Sequence, residues 1–176
     1  MEIKIRQGTQ ADVALLAQLY DDLNDYLAAR VNYPGWRKGF YPIEEDAQAG
    51  VEQQSLFVAT QGTQIAGSFI LQNKQEDAYK KEENWQIQAE EEAVLVIHTF
   101  VVAPAYLGCG IGTQLLDFAC KYAKAAHKKA LRLDVYEKNA PAIHLYEKCG
   151  YSYIDTVSLG LEAYGLDQFR LYEKVL

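Results

Sequence analysis

Apolar and polar residues alternate at the start of the chain in a pattern that predicts a strand followed by a helix. Ile3 and Ile5 are separated by polar residues, and the polar turn at 7–9 ends this strand. Thr9 followed three residues later by Asp12 is typical of a helix start. The predicted helix then carries an apolar stripe at helical spacing, formed by Val13, Leu15, Leu16, Leu19, Tyr20, Leu23, Tyr26 and Leu27.

Segment 32–42 interrupts this regular pattern. It contains two prolines, two glycines and four aromatic residues, a composition typical of an ordered loop that can line a pocket. A short helix is predicted over 43–53, and a β-hairpin over 55–72. Residues 73–90, by contrast, are rich in Lys, Glu, Asp and Gln, with Trp85 as the exception. We therefore expect this stretch to form a solvent-exposed excursion.

Residues 93–102 are nearly continuous in Val, Leu, Ile and Phe, interrupted only by His98 and Thr99, and predict a buried central strand bounded by Pro104. A glycine-rich loop follows at 107–113, and helical spacing of apolar residues is evident from Gln114 onward. The remaining predicted elements are a strand over 131–136, a short helix over 140–148, and two antiparallel strands over 151–158 and 168–175. The succession of strand, glycine loop and helix is the most informative feature of this half.

Length, charge and cysteine content exclude several classes of protein. A chain of 176 residues is long enough for one sizeable core but short for two, so we expect one domain over 1–176. The net charge of −7 argues against nucleic-acid binding and suits a cationic substrate. No membrane span or apolar signal core is evident, so we expect a cytoplasmic protein without membrane contact. Cys109, Cys120 and Cys149 lack CxxC spacing, and we expect neither disulfides nor a metal site.

The glycine loop has the chemistry of a phosphate-binding site. Glycines permit positive φ angles and leave backbone N–H groups uncovered, while the following helix presents unpaired amides and the positive end of its dipole. Such a loop can hold a pyrophosphate through the main chain alone. The Gly-Lys-Ser/Thr ending of an ATP-binding loop is absent from the sequence, which argues against phosphoryl transfer.

A dinucleotide-binding fold competes with this interpretation. Gly108-Cys109-Gly110 opens a helix, and Asp134 lies roughly 20 residues further on a predicted strand. However, Thr113 stands where the third glycine of that motif belongs, and little chain remains for further parallel strands. A nicotinamide-dependent oxidoreductase therefore stays as an alternative of another class.

Two blocks of the sequence resemble the GNAT acetyltransferase superfamily. The first includes Val102, Pro104, Tyr106, Leu107, Gly108, Cys109, Gly110, Ile111, Gly112, Thr113, Leu115 and Leu116, and is similar to the family signature Gln/Arg-x-x-Gly-x-Gly/Ala between a central strand and a helix. The second consists of Val135, Asn139, Ala142, Ile143, Leu145, Tyr146, Glu147, Lys148, Gly150 and Tyr151. The motifs cover about 98–151. Leu107 and Cys109 depart from the family pattern, in which basic or amide side chains are frequent, and we expect cofactor binding to survive this loss.

The resemblance implies an N-acetyltransferase in which an amine attacks acetyl-CoA, the co-substrate, directly in a ternary complex. The implied cofactor-binding residues are Phe100, Val101 and Val102 on the strand, Leu107, Gly108, Cys109, Gly110, Ile111, Gly112 and Thr113 in the loop, and Asn139 and Tyr146. Tyr146 is also implied as the general acid that protonates the departing thiolate, whereas its helical spacing with Ile143 alone would favour a packing role. Asn139 is also a predicted N-cap. A non-catalytic sensor of acyl-CoA remains an alternative.

The general base and the acceptor site are less defined by the sequence. An alkylamine must lose a proton before it attacks, and the candidates for the base are His98, Glu44 and Glu45. Trp36, Phe40 and Tyr41 are expected to shape the acceptor pocket, or else to form a lid or a dimer contact. The terminal strands allow pairing in a homodimer.

The fold that follows from the pattern and the resemblance is mixed α/β, of the α+β type. We expect a single GNAT-like domain with a mostly antiparallel sheet flanked by helices. The sheet is expected to be splayed at the central strand, where it would admit CoA.

Overall fold

A computed structural model describes residues 2–176 as seven strands and five helices. The strands are β1 (Lys4–Gln7), β2 (Leu56–Gln61), β3 (Gln64–Gln72), β4 (Val94–Val102), β5 (Ala130–Tyr136), β6 (Ser152–Val157) and β7 (Phe169–Val175). The helices are α1 (Gln10–Ala28), α2 (Glu44–Glu52), α3 (Asp77–Lys81), α4 (Ile111–Ala125) and α5 (Ala140–Lys148). Across residues 2–176, no helix combines the length and the apolar character needed to cross a membrane.

The strands form one seven-stranded sheet in the order β1-β2-β3-β4-β5-β7-β6. The pairs β1–β2, β2–β3, β5–β7 and β6–β7 are antiparallel, whereas β4 and β5 run parallel. The predicted mixed α/β class and mostly antiparallel sheet are therefore confirmed. The parallel register joins Val94–Val96 to Ala130–Arg132. The opening of the sheet beyond this register stays a prediction.

The backbone divides into two compact units. Residues 2–32, 36–71 and 98–118 make up the first unit. Residues 33–35, 72–97 and 119–176 make up the second unit. The single domain expected over 1–176 consequently stays a prediction.

The core of the first unit is built on the predicted apolar stripe of α1. The stripe residues that are buried are Val13, Leu16, Leu19, Tyr20, Leu23 and Leu27. They cluster with Ala47 of α2 and with the strand residues Leu56, Val58, Ile65, Ile70 and Val101. Leu15, which was also assigned to the stripe, is instead 52% exposed. At 3.6 residues per turn, Leu15 lies roughly 40° beyond Leu19 around the helix, outside the arc that the buried stripe residues cover.

A capping arrangement fixes the start of α1, as the Thr9 and Asp12 spacing predicted. The Thr9 backbone N–H donates to Asp12 Oδ2 at 2.8 Å, and the Thr9 hydroxyl donates to the same oxygen at 3.0 Å. Arg6 adds two bonds from β1, of 2.7 and 2.8 Å, to the two carboxylate oxygens. The Arg6 bonds are the main cause that lowers the pKa of the Asp12 carboxyl from 3.8 to about 2, against the opposing effect of burial.

The prediction that residues 73–90 form a solvated excursion holds for most of the stretch but is wrong for Gln75, Tyr79 and Trp85, which are buried. Within this stretch lies α3, and the side chains of Tyr79 and Trp85 are only 1% and 5% exposed. The Tyr79 hydroxyl donates to Asp134 Oδ2 at 2.7 Å, and Trp85 Nε1 donates to the Tyr79 carbonyl at 2.9 Å. Tyr79 and Trp85 form a buried cluster of the second unit together with Val96 and Leu171.

A buried cation explains why this polar stretch folds inward. Arg132 of β5 donates from Nε to Glu173 Oε2 at 2.9 Å, and the two residues stand opposite each other in the β5–β7 register. Its two terminal nitrogens donate to Gln75 Oε1 at 3.0 Å and to the Ile87 carbonyl at 2.8 Å. The guanidinium also lies 4.0 Å from the centre of the Trp85 ring. The segment thus supplies the partners that a buried arginine requires.

We predict that Arg132→Met lowers the free energy of unfolding by about 3–5 kcal/mol, because it leaves the buried Glu173 carboxylate without its ion-pair partner. Urea denaturation measures this change. In the double variant Arg132→Met/Glu173→Leu, much of the lost stability should return, since no buried charge remains. Lys4→Met removes an exposed cation from β1 as a control and should change the stability by less than about 0.5 kcal/mol. Equal stability of the single and double variants would contradict the prediction.

We also predict a stability loss in acid that depends on Asp12. Because the folded-state pKa of Asp12 is depressed, the ionised carboxylate stabilises the fold above its ordinary pKa of 3.8, and this contribution is lost as the pH falls towards about 2. Unfolding free energies of wild type and Asp12→Asn, measured from pH 5 to pH 2, should converge as the pH falls. Parallel pH profiles would show that the Arg6 contact does not stabilise the fold.

Candidate functional site

The glycine loop adopts the left-handed backbone conformation that its sequence predicts. Gly108 and Gly110 have φ angles of 77° and 78°. A side chain added at either position would meet no atom within 4 Å. The backbone angle, and not crowding, is therefore what requires glycine here. The space beside both α-carbons is open, so a ligand can approach the main chain closely.

Helix α4 begins earlier than the apolar spacing indicated. Its first residue is Ile111 rather than Gln114, because Gln114 N–H already donates to the Gly110 carbonyl at 3.1 Å. The predicted loop residues Ile111, Gly112 and Thr113 thus form the first helical turn. Their N–H groups have no acceptor within the helix and lie at the positive end of its dipole.

Two contacts tie the loop to the β2–β3 hairpin. The Tyr106 hydroxyl donates to Gln64 Oε1 at 3.0 Å and to Gln61 Oε1 at 3.3 Å. Leu107 and Cys109, in contrast, expose their side chains. Tyr106 therefore holds the loop in place, while the two residues that depart from the family pattern are free of core packing.

The loop is suited to an anion through its main chain. Segment 104–114 contains no charged side chain, and no acidic residue lies in the first turn of α4. No carboxylate within this segment competes with a phosphate for the helix N-terminus. Backbone amides and the helix dipole are the groups that the loop offers.

The second half of β4 is part of the core of the first unit. Val101 is buried, whereas Phe100 and Val102 are half-buried. The Phe100 ring lies 6.3 Å from that of Phe69. The predicted core role of Phe100 is thus supported by packing, whereas that of Val102 stays a prediction. Their predicted contact with a cofactor is a backbone property and stays a prediction.

Thr99 is a feature of β4 that sequence reasoning missed. Its φ angle is 48°, in the left-handed region that a β-branched residue rarely adopts. The side chain is 7% exposed, and its Oγ1 lies 2.8 Å from the hydroxyl of Tyr41. Its neighbour His98, a candidate base, is half-buried. The signal available in the sequence was the polar His98-Thr99 pair inside an apolar run. The backbone angle of Thr99, however, cannot be inferred from residue types.

The aromatic loop brings two of its three predicted site residues together. The rings of Trp36 and Tyr41 meet edge to face, with centroids 5.4 Å apart. Asn32 Nδ2 donates to the Trp36 carbonyl at 2.7 Å and helps to order the loop. Phe40, in contrast, is 66% exposed. Trp36 and Tyr41 are consequently fixed, whereas Phe40 presents its ring to the surface.

The acidic residues after this loop differ in their surroundings. Glu44, a candidate base, is exposed in the first turn of α2, as is Glu45. Asp46 was not considered from the sequence, yet burial raises the pKa of its carboxyl, against a 2.8 Å bond from Ile43 N–H, and the charge of Glu45 raises it further. Burial raises the pKa of Tyr20 to about 12, and the charge of Asp46 adds to this rise. Asp46 is therefore the carboxylate in this region whose protonation the fold favours.

Two predicted site residues lie in the second unit. Asn139 is the N-cap of α5, where its Oδ1 accepts a 3.4 Å bond from Ala142 N–H, as predicted. Tyr146, on the same helix, is 6% exposed. Its ring lies 6.1 Å from that of Tyr151 and 6.4 Å from that of Tyr172. The packing role of Tyr146 is thus supported, whereas its role as the general acid stays a prediction.

The phenols around Tyr146 are held in their protonated form. Burial raises the pKa of Tyr151 well above 10. Burial also raises the pKa of Tyr172, whose hydroxyl donates to Glu147 Oε1 at 2.8 Å. Both phenols are therefore neutral at neutral pH, and the raised pKa makes each of them a weaker proton donor than an exposed tyrosine.

Comparison with known proteins places this arrangement in a family. Residues 16–151 match the model of the acetyltransferase (GNAT) family. An uncharacterized N-acetyltransferase of Methanocaldococcus jannaschii is 37% identical over 68 residues, which are 39% of this chain and 30% of that protein. The chain spans about a third of the length of the curated relatives that it matches.

Solved structures share the fold over nearly the whole chain. A GNAT-family acetyltransferase from Streptococcus agalactiae has a TM-score of 0.81 at 19% identity and covers 99% of this chain and 95% of its own. The protein yncA from Salmonella typhimurium, solved with its cofactor acetyl-CoA, has a TM-score of 0.68 at 16% identity, with coverage of 100% and 95%. At these identities, the likeness shows the fold alone.

Proposed function

Because the chain belongs to the GNAT family of acetyltransferases, we propose that it is an enzyme that transfers the acetyl group of acetyl-CoA to a primary amine. The amine attacks directly in a ternary complex, without an acyl-enzyme. Two alternative functions are a non-catalytic acyl-CoA sensor and a nicotinamide-dependent oxidoreductase. Ligand-dependent thermal unfolding and measurements of amine turnover distinguish them from an acetyltransferase.

The observation that carries this proposal is the loop before α4. Gly108 and Gly110 have left-handed backbones with open space beside them, and the N–H groups of 111–113 have no helical acceptor. These groups fit a pyrophosphate, which needs several N–H donors and no competing carboxylate. When bound, acetyl-CoA supplies a thioester that is activated for attack by an amine.

The residues of this chain would then bind acetyl-CoA, orient its thioester and protonate the departing thiolate. The backbone of Phe100, Val101 and Val102 would pair with the pantetheine arm and fix its position. The Asn139 side chain would approach the sulfur while it caps α5. Tyr146 would donate its hydroxyl proton to the departing thiolate, which is a poorer leaving group when it stays charged.

The acceptor is proposed to be a small cationic metabolite or a peptide or protein amine. Trp36 and Tyr41 offer aromatic faces to an ammonium, and Phe40 adds an exposed ring. The proton of the ammonium would pass to His98, Glu44 or Glu45, directly or through water, and Asp46 is a third carboxylate of this region beside the two glutamates. We also propose that the protein acts in the cytoplasm as a single domain, and that it can pair as a homodimer.

Thermal unfolding with acetyl-CoA, CoA and NAD in parallel tests the cofactor. At a concentration one hundred times its dissociation constant, a ligand should stabilise the fold by about 2.7 kcal/mol. For a protein of this size, this corresponds to a rise in the midpoint of roughly 5–10 °C. If acetyl-CoA and CoA stabilise the protein and NAD does not, the proposal is supported. A screen of amines that detects released thiol is then justified. A shift with NAD alone, or no shift at all, would refute it.

Tyr146→Phe tests the chemical step. The variant keeps the ring contacts with Tyr151 and Tyr172 but removes the proton donor, so turnover should fall by about a hundredfold or more, while acetyl-CoA affinity changes little. Tyr153→Phe, which removes an exposed hydroxyl from β6, is the control. Unaltered turnover of Tyr146→Phe would exclude Tyr146 as the general acid. Binding of acetyl-CoA without turnover of any amine, by wild type itself, would favour the sensor.

A further inference from the structure

The left-handed backbone of Thr99 is an unusual feature of β4 and needs an external support. A β-branched side chain at positive φ is strained, typically by an amount that the surrounding structure must offset. Glycine or asparagine would adopt this angle far more readily. The Thr99 side chain is nevertheless buried in β4, between His98 and Phe100. Something outside the strand therefore stabilises this conformation.

Tyr41 is the support that the structure shows. Its hydroxyl lies 2.8 Å from Thr99 Oγ1, although the two residues are 58 positions apart in the sequence. Because both hydroxyls can donate and accept, the contact is a full hydrogen bond in either direction. It is also specific to the hydroxyl of Thr99, since the side chain of a valine has the same shape but cannot form it.

Tyr41 is itself held from several sides. Its carbonyl accepts a 3.3 Å bond from Nδ2 of Asn24, a residue of α1 that is 2% exposed. Its backbone N–H donates to the Arg37 carbonyl at 3.0 Å, and its ring meets the edge of Trp36. A side chain anchored in this way can hold Thr99 in place, where a mobile one could not.

We propose that Tyr41 is a positioning residue that sets the backbone of β4 through Thr99 and so links the aromatic loop to the cofactor strand. A left-handed residue rotates the peptide groups on either side of it away from regular alternation. The directions of the N–H and C=O groups around Phe100 therefore depend on the angle of Thr99. This inference rests on the proposed function, in which acetyl-CoA pairs with this part of β4.

Positioning of the β4 backbone by Tyr41 can be distinguished from a direct contact of Tyr41 with the acceptor amine. A residue that only touches the acceptor changes the KM for the amine and leaves the Kd for acetyl-CoA unaltered. A residue that sets the β4 backbone changes the Kd for acetyl-CoA measured without any acceptor. Because coupling between two sites is reciprocal, an ordered aromatic loop and a bound cofactor should favour each other.

Isothermal titration of acetyl-CoA into wild type, Tyr41→Phe, Thr99→Val and the double variant tests the inference. Each single variant removes one hydroxyl of the pair, and each should raise the Kd by about five- to tenfold, the effect of one hydrogen bond. The double variant should bind no more weakly than either single variant. Thr99→Ser keeps the hydroxyl and should retain most of the affinity. Tyr33→Phe, which removes another hydroxyl from the same loop, should bind like wild type.

A glycine at position 99 provides the sharpest comparison. Thr99→Gly adopts a positive φ without support, so Tyr41→Phe should have no further effect on the Kd in that background. Circular dichroism verifies that each variant folds, and the Thr99 variants carry the test should Tyr41→Phe fail to fold. Given that wild type binds acetyl-CoA, an unchanged Kd in Tyr41→Phe or Thr99→Val overturns the inference. Additive effects of the two substitutions on the Kd also overturn it. In both cases the proposed function stands. Failure of wild type to bind acetyl-CoA overturns both.

Discussion

The buried ion pair between Arg132 and Glu173 is the interaction on which the second unit depends. The two side chains are 3% and 0% exposed, so neither charge can be satisfied by water. A buried guanidinium is tolerated only when its donors all find partners. The stretch that contains Gln75, Trp85 and Ile87 supplies them, and it carries Tyr79 into the core as well. One charged residue on β5 thus organises a segment of chain far from it in sequence.

Local patterns were sufficient to predict most of the fold. The apolar period of α1, its Thr9 and Asp12 cap, the hairpin of β2 and β3 and the helix after Asn139 all depend on residues close together in the chain. Each of these signals has a local physical cause, either a helical face or a satisfied helix end. The strand, loop and helix around Gly108 and Gly110 are local in the same sense, which is why this part of the candidate site could be predicted.

The features that were missed depend on distant partners. Residues 73–90 have the composition of a solvated surface, and the buried members Gln75, Tyr79 and Trp85 find their partners on β5, at Arg132 and Asp134. The left-handed angle of Thr99 depends on a hydroxyl in the aromatic loop, and no short window of sequence contains both residues. Asp46 resembled its exposed neighbours Glu44 and Glu45, because burial is a property of the folded chain. Features that depend on contacts between distant residues therefore cannot be predicted from short windows of the sequence.

The uncharged character of segment 104–114 has a consequence for the kinetics of ligand capture. The chain as a whole carries a net charge of −7, and the loop itself provides no lysine or arginine that could attract an anion. An anionic ligand therefore approaches against an overall repulsion. Dissolved salt screens this repulsion, over a Debye length of about 10 Å at 0.1 M. Association with this loop would thus become faster as ionic strength rises, the reverse of the behaviour of phosphate sites built on lysine.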